Sequence, residues 1–157
     1  LIIDADGLYA LAKKTSIIME CNSSIILTPH EMEMARLIDK DIECVINNRL
    51  FVSEAFSKEF CVTLILKGHY TVVTTLQGEQ YINIKGNSGM ATGGSGDVLA
   101  GIVASLAARG LTEEKCAVMS VFIHALAGDI AKIEYGEDSV TALRINDNIS
   151  KSIKSII

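Results

Sequence analysis

The sequence has no tryptophan, a single proline and only 5% aromatic residues. So few rings leave no platform on which unpaired bases could stack. The 14 Lys and Arg residues are scattered without a basic run, and 19 Asp and Glu bring the formal net charge to −5. An acidic chain with no basic stripe is a poor match for a phosphate backbone, so nucleic acid is not expected as a main partner. Cys21, Cys44, Cys61 and Cys116 lie far apart and form no CxxC pair, which argues against a zinc site. They read as small buried hydrophobes in a reducing compartment rather than as a disulfide framework. No apolar run reaches the roughly 18 residues that a membrane span needs, and no signal peptide is visible, so a soluble, cytoplasmic protein is expected with no membrane partner.

What is present is mostly core. The 157 residues are 49% hydrophobic with a mean hydropathy of +0.35, enough for one domain across residues 1–157. Leu1-Ile2-Ile3-Asp4 already reads as a buried strand, from which the expectation follows that the domain lacks its N-terminal part. Further strands are expected at Ser24–Leu27, Val62–Leu66, Thr71–Thr75 and Gln80–Ile84, the last two as a hairpin around Gly78. Helices are expected at Leu8–Lys14, after Pro29, at Ile42–Asn47, Leu50–Phe60, Val98–Ala108, from Thr112 as cap to about Lys132, and at Arg144–Ile156. The near-continuous apolar run of Val62–Leu66 suits a parallel strand buried on both faces. The order of elements predicts an α/β fold, a mostly parallel sheet flanked by helices on both faces.

The chemistry concentrates in Gly86-Asn87-Ser88-Gly89-Met90-Ala91-Thr92-Gly93-Gly94-Ser95-Gly96-Asp97, which holds five of the twelve glycines. A glycine-rich loop opening a helix lets backbone N–H groups converge on an anion, and the helix dipole assists. Gly93, Gly94, Ser95 and Gly96 are the candidate anion hole. Asp97 would repel a phosphate if aimed at it, so its role is to handle a proton beside the phosphate, as a base for phosphoryl transfer to a hydroxyl. The loop is no Walker A motif, because no lysine follows its last glycine. Lys67-Gly68 at a strand end is a weak nucleotide signal. Asp4 and Asp6, after the first strand, either bond in their turn, cap the next helix or meet a ligand. His30 stands at a strand-to-helix edge, where both a structural and a ligand-binding role are open. His124, inside an apolar helix, reads as a hydrogen-bonded core histidine.

LIIDADGL (1–8), ILTPHEMEMARL (26–37), LKGHYTVV (66–73), GNSGMATGGSGDVLAGI (86–102) and FIHALAGDIA (122–131) occur in one order along nearly the whole chain. In this the sequence resembles the ADP/ATP-dependent NAD(P)H-hydrate dehydratases of the ribokinase-like superfamily. GNSGMATGGSGDVL is the most specific piece, and the TPHxxEM pattern at Thr28 to Met34 separates this branch from sugar kinases with NxxE. Met32 stands where many members have Gly, and Arg144 near where many have Ser before Asp.

The resemblance implies a single ribokinase-like catalytic domain and a repair reaction. Nucleotide, ADP or ATP, phosphorylates the ring hydroxyl of hydrated NADH or NADPH, and loss of phosphate restores the dihydropyridine. It places His30 and Asp97 at the hydrated dinucleotide, and Lys67, Gly68, His69, Tyr70, Thr71 and Gly96 at the adenine nucleotide. Glu33 matches the acidic residue that acts on Mg²⁺ through water, and Asn87 would order the loop. It also implies a homo-oligomer, commonly a tetramer, and an NAD(P)HX epimerase as partner or fused domain. Two other readings stand beside it: a small-molecule kinase of the same superfamily, and a nucleotide-binding fragment without catalysis.

Overall fold

The computed structural model describes all residues from Leu1 to Ile157. Two compact units divide the chain, one of Leu1–Asn83 with Thr112–Ala117, the other of Ile84–Leu111 with Val118–Ile157.

The first unit contains the sheet. Strands β1 (Ile2–Ile3), β2 (Ile26–Leu27) and β3 (Thr63–Leu66) pair in parallel, and β4 (Val72–Thr74) and β5 (Gln80–Ile82) continue it antiparallel, in the order β1-β2-β3-β4-β5. The three parallel strands are joined by helical crossovers, as parallel pairing requires. Helix α1 (Asp6–Leu11) follows β1; α2 (Glu31–Leu37), α3 (Ile42–Asn47) and α4 (Arg49–Phe60) lie between β2 and β3. Register sets the two faces. Leu27, Leu64, Leu66 and Val72 join Leu8, Leu11, Met34, Leu37, Val45, Val52 and Phe56 in one apolar cluster. Ile65 and Val73 point to the opposite face and are buried as well, so β3 is buried at all four residues, as its unbroken apolar run predicts. Gly78, at φ +90, turns β4 into β5 as the hairpin reading required.

The second unit is helical. Helix α5 (Ser95–Ala108) begins three residues earlier than the apolar pattern suggests. Helix α6 (Glu113–Tyr135) starts in the first unit, with the Thr112 hydroxyl accepting from the Lys115 N–H, and runs on through the second. By length and composition alone α6 could cross a membrane, a feature that counting uninterrupted apolar residues missed; 56% of its most apolar stretch is buried in the fold, as in the core helix of a globular protein. Ala127 and Ala131 of α6 pack with Val140 and Ile145, and with the half-buried Met90, Val98 and Ile149, in a core of their own.

Several expectations need correction. The last helix is broken into α7 (Ala142–Asp147) and α8 (Ile149–Lys154) at Asn148, whose buried amide donates to the Arg144 carbonyl. Thr15–Glu20 forms a 3-10 helix where no element was expected. Cys21 and Cys61 are exposed and Cys44 half-buried, so only Cys116 behaves as a core residue; none of the four is in a disulfide. Cys61 closes α4 in the left-handed conformation (φ 52), which displaces it from the core. Asp41 and Ser53 suit local caps or turns by residue type, yet Asp41 stands before α3 without a side-chain cap bond, and Ser53 sits inside α4, its hydroxyl donating to the Leu50 carbonyl at 3.0 Å.

Leu64 is fully buried at the centre of the first core. Leu64→Ala is expected to lower stability by about 2–5 kcal/mol, the range for a large-to-small change in a packed interior. Denaturant unfolding of the two proteins measures it, and a loss under about 1 kcal/mol would contradict the packing described.

Candidate functional site

The candidates fall into two local arrangements, one in each unit. In the first, the chain leaves β2 through Thr28-Pro29 and enters α2 at His30. The His30 ring caps this helix. Its Nδ1 accepts the N–H groups of Met32 (3.1 Å) and Glu33 (3.3 Å), while Glu33 Oε2 accepts the His30 N–H at 2.8 Å. This is a reciprocal capping box with imidazole in the usual place of a hydroxyl. An Nδ1 that accepts is unprotonated, so the neutral ring carries its proton on Nε2. The side chain is 48% exposed, and Nε2 lies 3.5 Å from Glu33 Oε1. Of the two roles the sequence left open, the inner nitrogen of His30 fills the structural one.

Beside it Lys67 is committed to carboxylates. Its Nζ lies 2.9 Å from Asp4 Oδ1 and 3.8 Å from Glu33 Oε2, and the side chain is only 19% exposed. Asp4 therefore serves neither as helix cap nor as a free ligand. Helix α1 has Ala5 before it and no side-chain cap, and Asp6 stands exposed in its first turn. The turn after β3 hangs on the same element, because the Lys67 N–H donates to the Pro29 carbonyl at 2.8 Å. Gly68 (φ 149) and Tyr70 (φ 59) take conformations that side chains disfavour, and the Thr71 hydroxyl donates to the Gly68 carbonyl at 3.2 Å. The rings of His69 and Tyr70 stand 3.9 Å apart at 49°, both exposed.

Sequence reasoning missed Arg49. Its guanidinium pairs with Glu31 and reaches the carbonyls of Leu66 (3.1 Å), Lys67 (3.5 Å) and Tyr70 (3.5 Å). A Cβ on Gly68 would overlap both the Glu31 carboxylate and the Arg49 guanidinium. The only sequence signal was the cation itself, placed at the first residue of a helix where the dipole disfavours it.

The second arrangement is the glycine-rich loop. Asp129 of α6 accepts the Gly86 N–H and the Asn87 Nδ2 amide, each at 3.0 Å, so Asn87 does order the loop. Ser88 donates to Glu137, which also pairs with Lys132. Gly89 runs so close to the Glu137 carbonyl that no side chain fits, and Gly128 leaves room for the Met90 thioether. Gly94, at φ 84, precedes α5 and faces the Ala142 methyl; the chain needs glycine there. The N–H of Ser95 is taken by the Thr92 carbonyl at 3.2 Å, and its hydroxyl lies 3.3 Å from His124 Nε2. His124 is indeed a buried, hydrogen-bonded histidine. The N–H groups of Gly93, Gly94, Gly96 and Asp97 find no backbone acceptor. Within the candidate anion hole, the Ser95 N–H is thus bonded back into the loop, while the other N–H groups are open. Asp97 stands exposed in the first turn of α5. Arg144 departs from the family pattern without loss of order: it donates to the Ser139 carbonyl at 2.5 Å and covers the Tyr135 ring.

No three His, Cys, Asp or Glu side chains gather to hold a metal ion. Glu33 spends one oxygen on the helix cap and shares its environment with Lys67, so a direct Glu33–Mg²⁺ bond does not fit this arrangement.

A parallel three-stranded core with helical crossovers, and a glycine loop leading into an acid-bearing helix, define a ribokinase-like α/β protein. The ADP/ATP-dependent NAD(P)H-hydrate dehydratase of Bacillus subtilis, solved after co-crystallisation with ATP and Mg²⁺, superposes on 99% of the chain with a TM-score of 0.86, at 21% identity and over 56% of its own length. A match to the NAD(P)H-hydrate dehydratase family runs over residues 1–151, and the chain belongs to that family. It is 42% identical over 156 residues to the bifunctional NAD(P)H-hydrate repair enzyme Nnr of Thermofilum pendens, covering 99% of this chain and 30% of the relative. It is 35% identical to the ADP-dependent (S)-NAD(P)H-hydrate dehydratase of Neisseria meningitidis, covering 97% of this chain and 55% of the relative. The chain thus spans between about a third and about half of the length of these relatives.

The Glu137 clamp on the loop titrates. Hydrogen bonds from Lys132 and then Ser88 hold its carboxyl below the ordinary value of 4.5. The clamp's contribution is then full above pH 4.5 and is lost as pH falls through the lowered value. Thermal melts should show a stability gap between the protein and Glu137→Gln that closes on acidification; a gap unchanged across the acid range would contradict the clamp.

Proposed function

We propose that the protein carries out nucleotide-dependent dehydration of hydrated NADH or NADPH, returning the reduced dinucleotide by phosphorylation of the ring hydroxyl and elimination of phosphate. The observation that carries this reading is the head of α5, where the open N–H groups of Gly93, Gly94, Gly96 and Asp97 stand beside an exposed carboxylate in a chain of the dehydratase family.

Hydroxide is a poor leaving group, and phosphate is a good one. In this reading Asp97 takes the proton of the ring hydroxyl as its oxygen attacks the terminal phosphorus of ADP or ATP, and the bond to the nucleotide's bridging oxygen breaks. The backbone donors stabilise charge on the transferred group. Phosphate then departs with the electrons of its carbon–oxygen bond, pushed by the ring nitrogen, and loss of the neighbouring ring proton restores the double bond. His30 offers its Nε2–H to the hydrated dinucleotide. Lys67 to Thr71, with Gly96, receive the adenine nucleotide. Lys67 acts there as a charge already balanced by Asp4, so backbone groups of the turn are the nearer contacts.

Mg²⁺ bound with the nucleotide phosphates would supply charge neutralisation, and Glu33 would face it through water. The same reading includes a homo-oligomer, a tetramer by family habit, and a cytoplasmic location alongside its dinucleotide substrates. An epimerase activity on the hydrated dinucleotide, as partner or as fused domain, is suggested by the bifunctional relative of Thermofilum pendens.

The intact protein, given hydrated NADPH with ADP or ATP, should restore the absorbance of the reduced nicotinamide. A stable phosphorylated sugar or vitamin product instead would point to a small-molecule kinase. Asp97→Asn should bind nucleotide nearly as well and turn over at least about 100-fold more slowly, the usual scale for removing a general base. Unchanged turnover in that variant would refute the base assignment.

A further inference from the structure

Arg49 stands where a cation is least favoured, at the first residue of α4, beside the positive end of that helix's dipole. Something must offset this, and its surroundings do. One guanidinium nitrogen, Nη1, pairs with Glu31 in the first turn of α2. The other, Nη2, gathers three carbonyls of the turn after β3: Leu66 at 3.1 Å, and Lys67 and Tyr70 at 3.5 Å. The side chain is 17% exposed, so these contacts are made with little competition from water. The planar fork of arginine suits such divided bonding, which a lysine could not reproduce.

The consequence lies on the other side of the peptides. In a trans planar peptide the N–H points opposite to the C=O. With the Lys67 and Tyr70 carbonyls drawn toward Arg49, the N–H groups of Gly68 and Thr71 are turned away from it. The Gly68 N–H has no backbone acceptor. Gly68 must lack a side chain for the arrangement to exist, because its Cβ would occupy the place of the Glu31–Arg49 pair. Leu66, meanwhile, belongs to β3, so the guanidinium ties the turn to the sheet as well as to α2.

We infer that Arg49 is a positioning residue for the adenine nucleotide: from beneath the Lys67–Thr71 turn it aims the backbone donors of the turn at the ligand, without touching that ligand. The inference rests on the reading that this turn receives the nucleotide. Glu31 is the counter-charge that holds Arg49 in place, and it joins the turn to the helix that His30 caps.

Arg49→Met, Arg49→Lys and Glu31→Gln in the intact protein test it, with ADP and ATP binding followed by calorimetry and the dehydration followed by absorbance. Arg49→Met should raise the Kd and KM for nucleotide about 10-fold or more, the scale of a lost charge-assisted bond network. The KM for hydrated dinucleotide and the kcat at saturating nucleotide should change by less than about 3-fold. Amide exchange should quicken at Gly68 to Thr71 and stay unchanged in α5. Arg49→Lys should recover only part of the affinity. If Arg49→Met does not fold, Glu31→Gln carries the test, with a smaller shift in the same direction. Nucleotide affinity unchanged in a folded variant overturns the inference and leaves the reading of the turn intact. Parallel loss of affinity for both substrates with a lowered Tm also overturns it, as plain structural damage. A variant substituted within the 67–71 turn that still dehydrates its substrate and keeps full nucleotide affinity overturns the reading of the turn, and Arg49's role with it.

Discussion

An α-helix cannot satisfy its own first N–H groups, and what the chain does with those of α5 governs the second unit. Most helices close this end with a side-chain cap. Here the residue before the helix is Gly94, in a left-handed conformation and without a side chain to offer. The donors of Gly93, Gly94, Gly96 and Asp97 are left open, while Ser95 is bonded back to Thr92. Everything around the loop serves to hold that unfinished end in place. Asp129 fixes its entry, Glu137 grips Ser88, Gly89 and Gly128 permit the close approaches, and Met90 fills the gap beside α6. Open donors are a cost in a molecule without an anion and an asset in one that binds phosphate.

The first unit solves the converse problem, an excess of charge near one strand end. Asp4, Glu31 and Glu33 meet Lys67 and Arg49, and each carboxylate has a cation or a helix N–H as partner. Partly buried pairs of this kind give modest net stability, but they fix geometry because breaking one strands its partner. His30 completes the set by capping α2 with Nδ1, which also fixes the tautomer at Nε2. Shape and charge state are decided together, so the residues assigned to ligands are held before any ligand arrives.

Much of this was legible in the sequence, and the gaps have physical causes. Local periodicity revealed the interior of nearly every element: α3 was read to the residue, and β3 and α4 within one. The start of α5 was misplaced because Ser95, Gly96 and Asp97 look like loop residues, and only an unfilled helix terminus explains their helical placement. The glycine loop and Asp97 stood out because their chemistry lies in consecutive residues. Arg49 did not, since its partners are 17 to 21 residues away and nothing nearby in sequence signals them. The same holds for Asp129, which meets Gly86 and Asn87 from more than forty positions along the chain. The cysteines misled for another reason. Cysteine is small enough to be tolerated at a solvated helix end, as at Cys61, so its type alone did not decide burial.

The central claim is that the ring hydroxyl is activated by phosphorylation rather than expelled directly as water. Hydrated NADPH labelled with ¹⁸O at the ring hydroxyl tests this in one turnover, with the phosphate analysed by mass spectrometry. The account predicts that the label leaves in inorganic phosphate, one labelled phosphate for each NADPH regained. Recovery of NADPH with the label in water and unlabelled phosphate would contradict it.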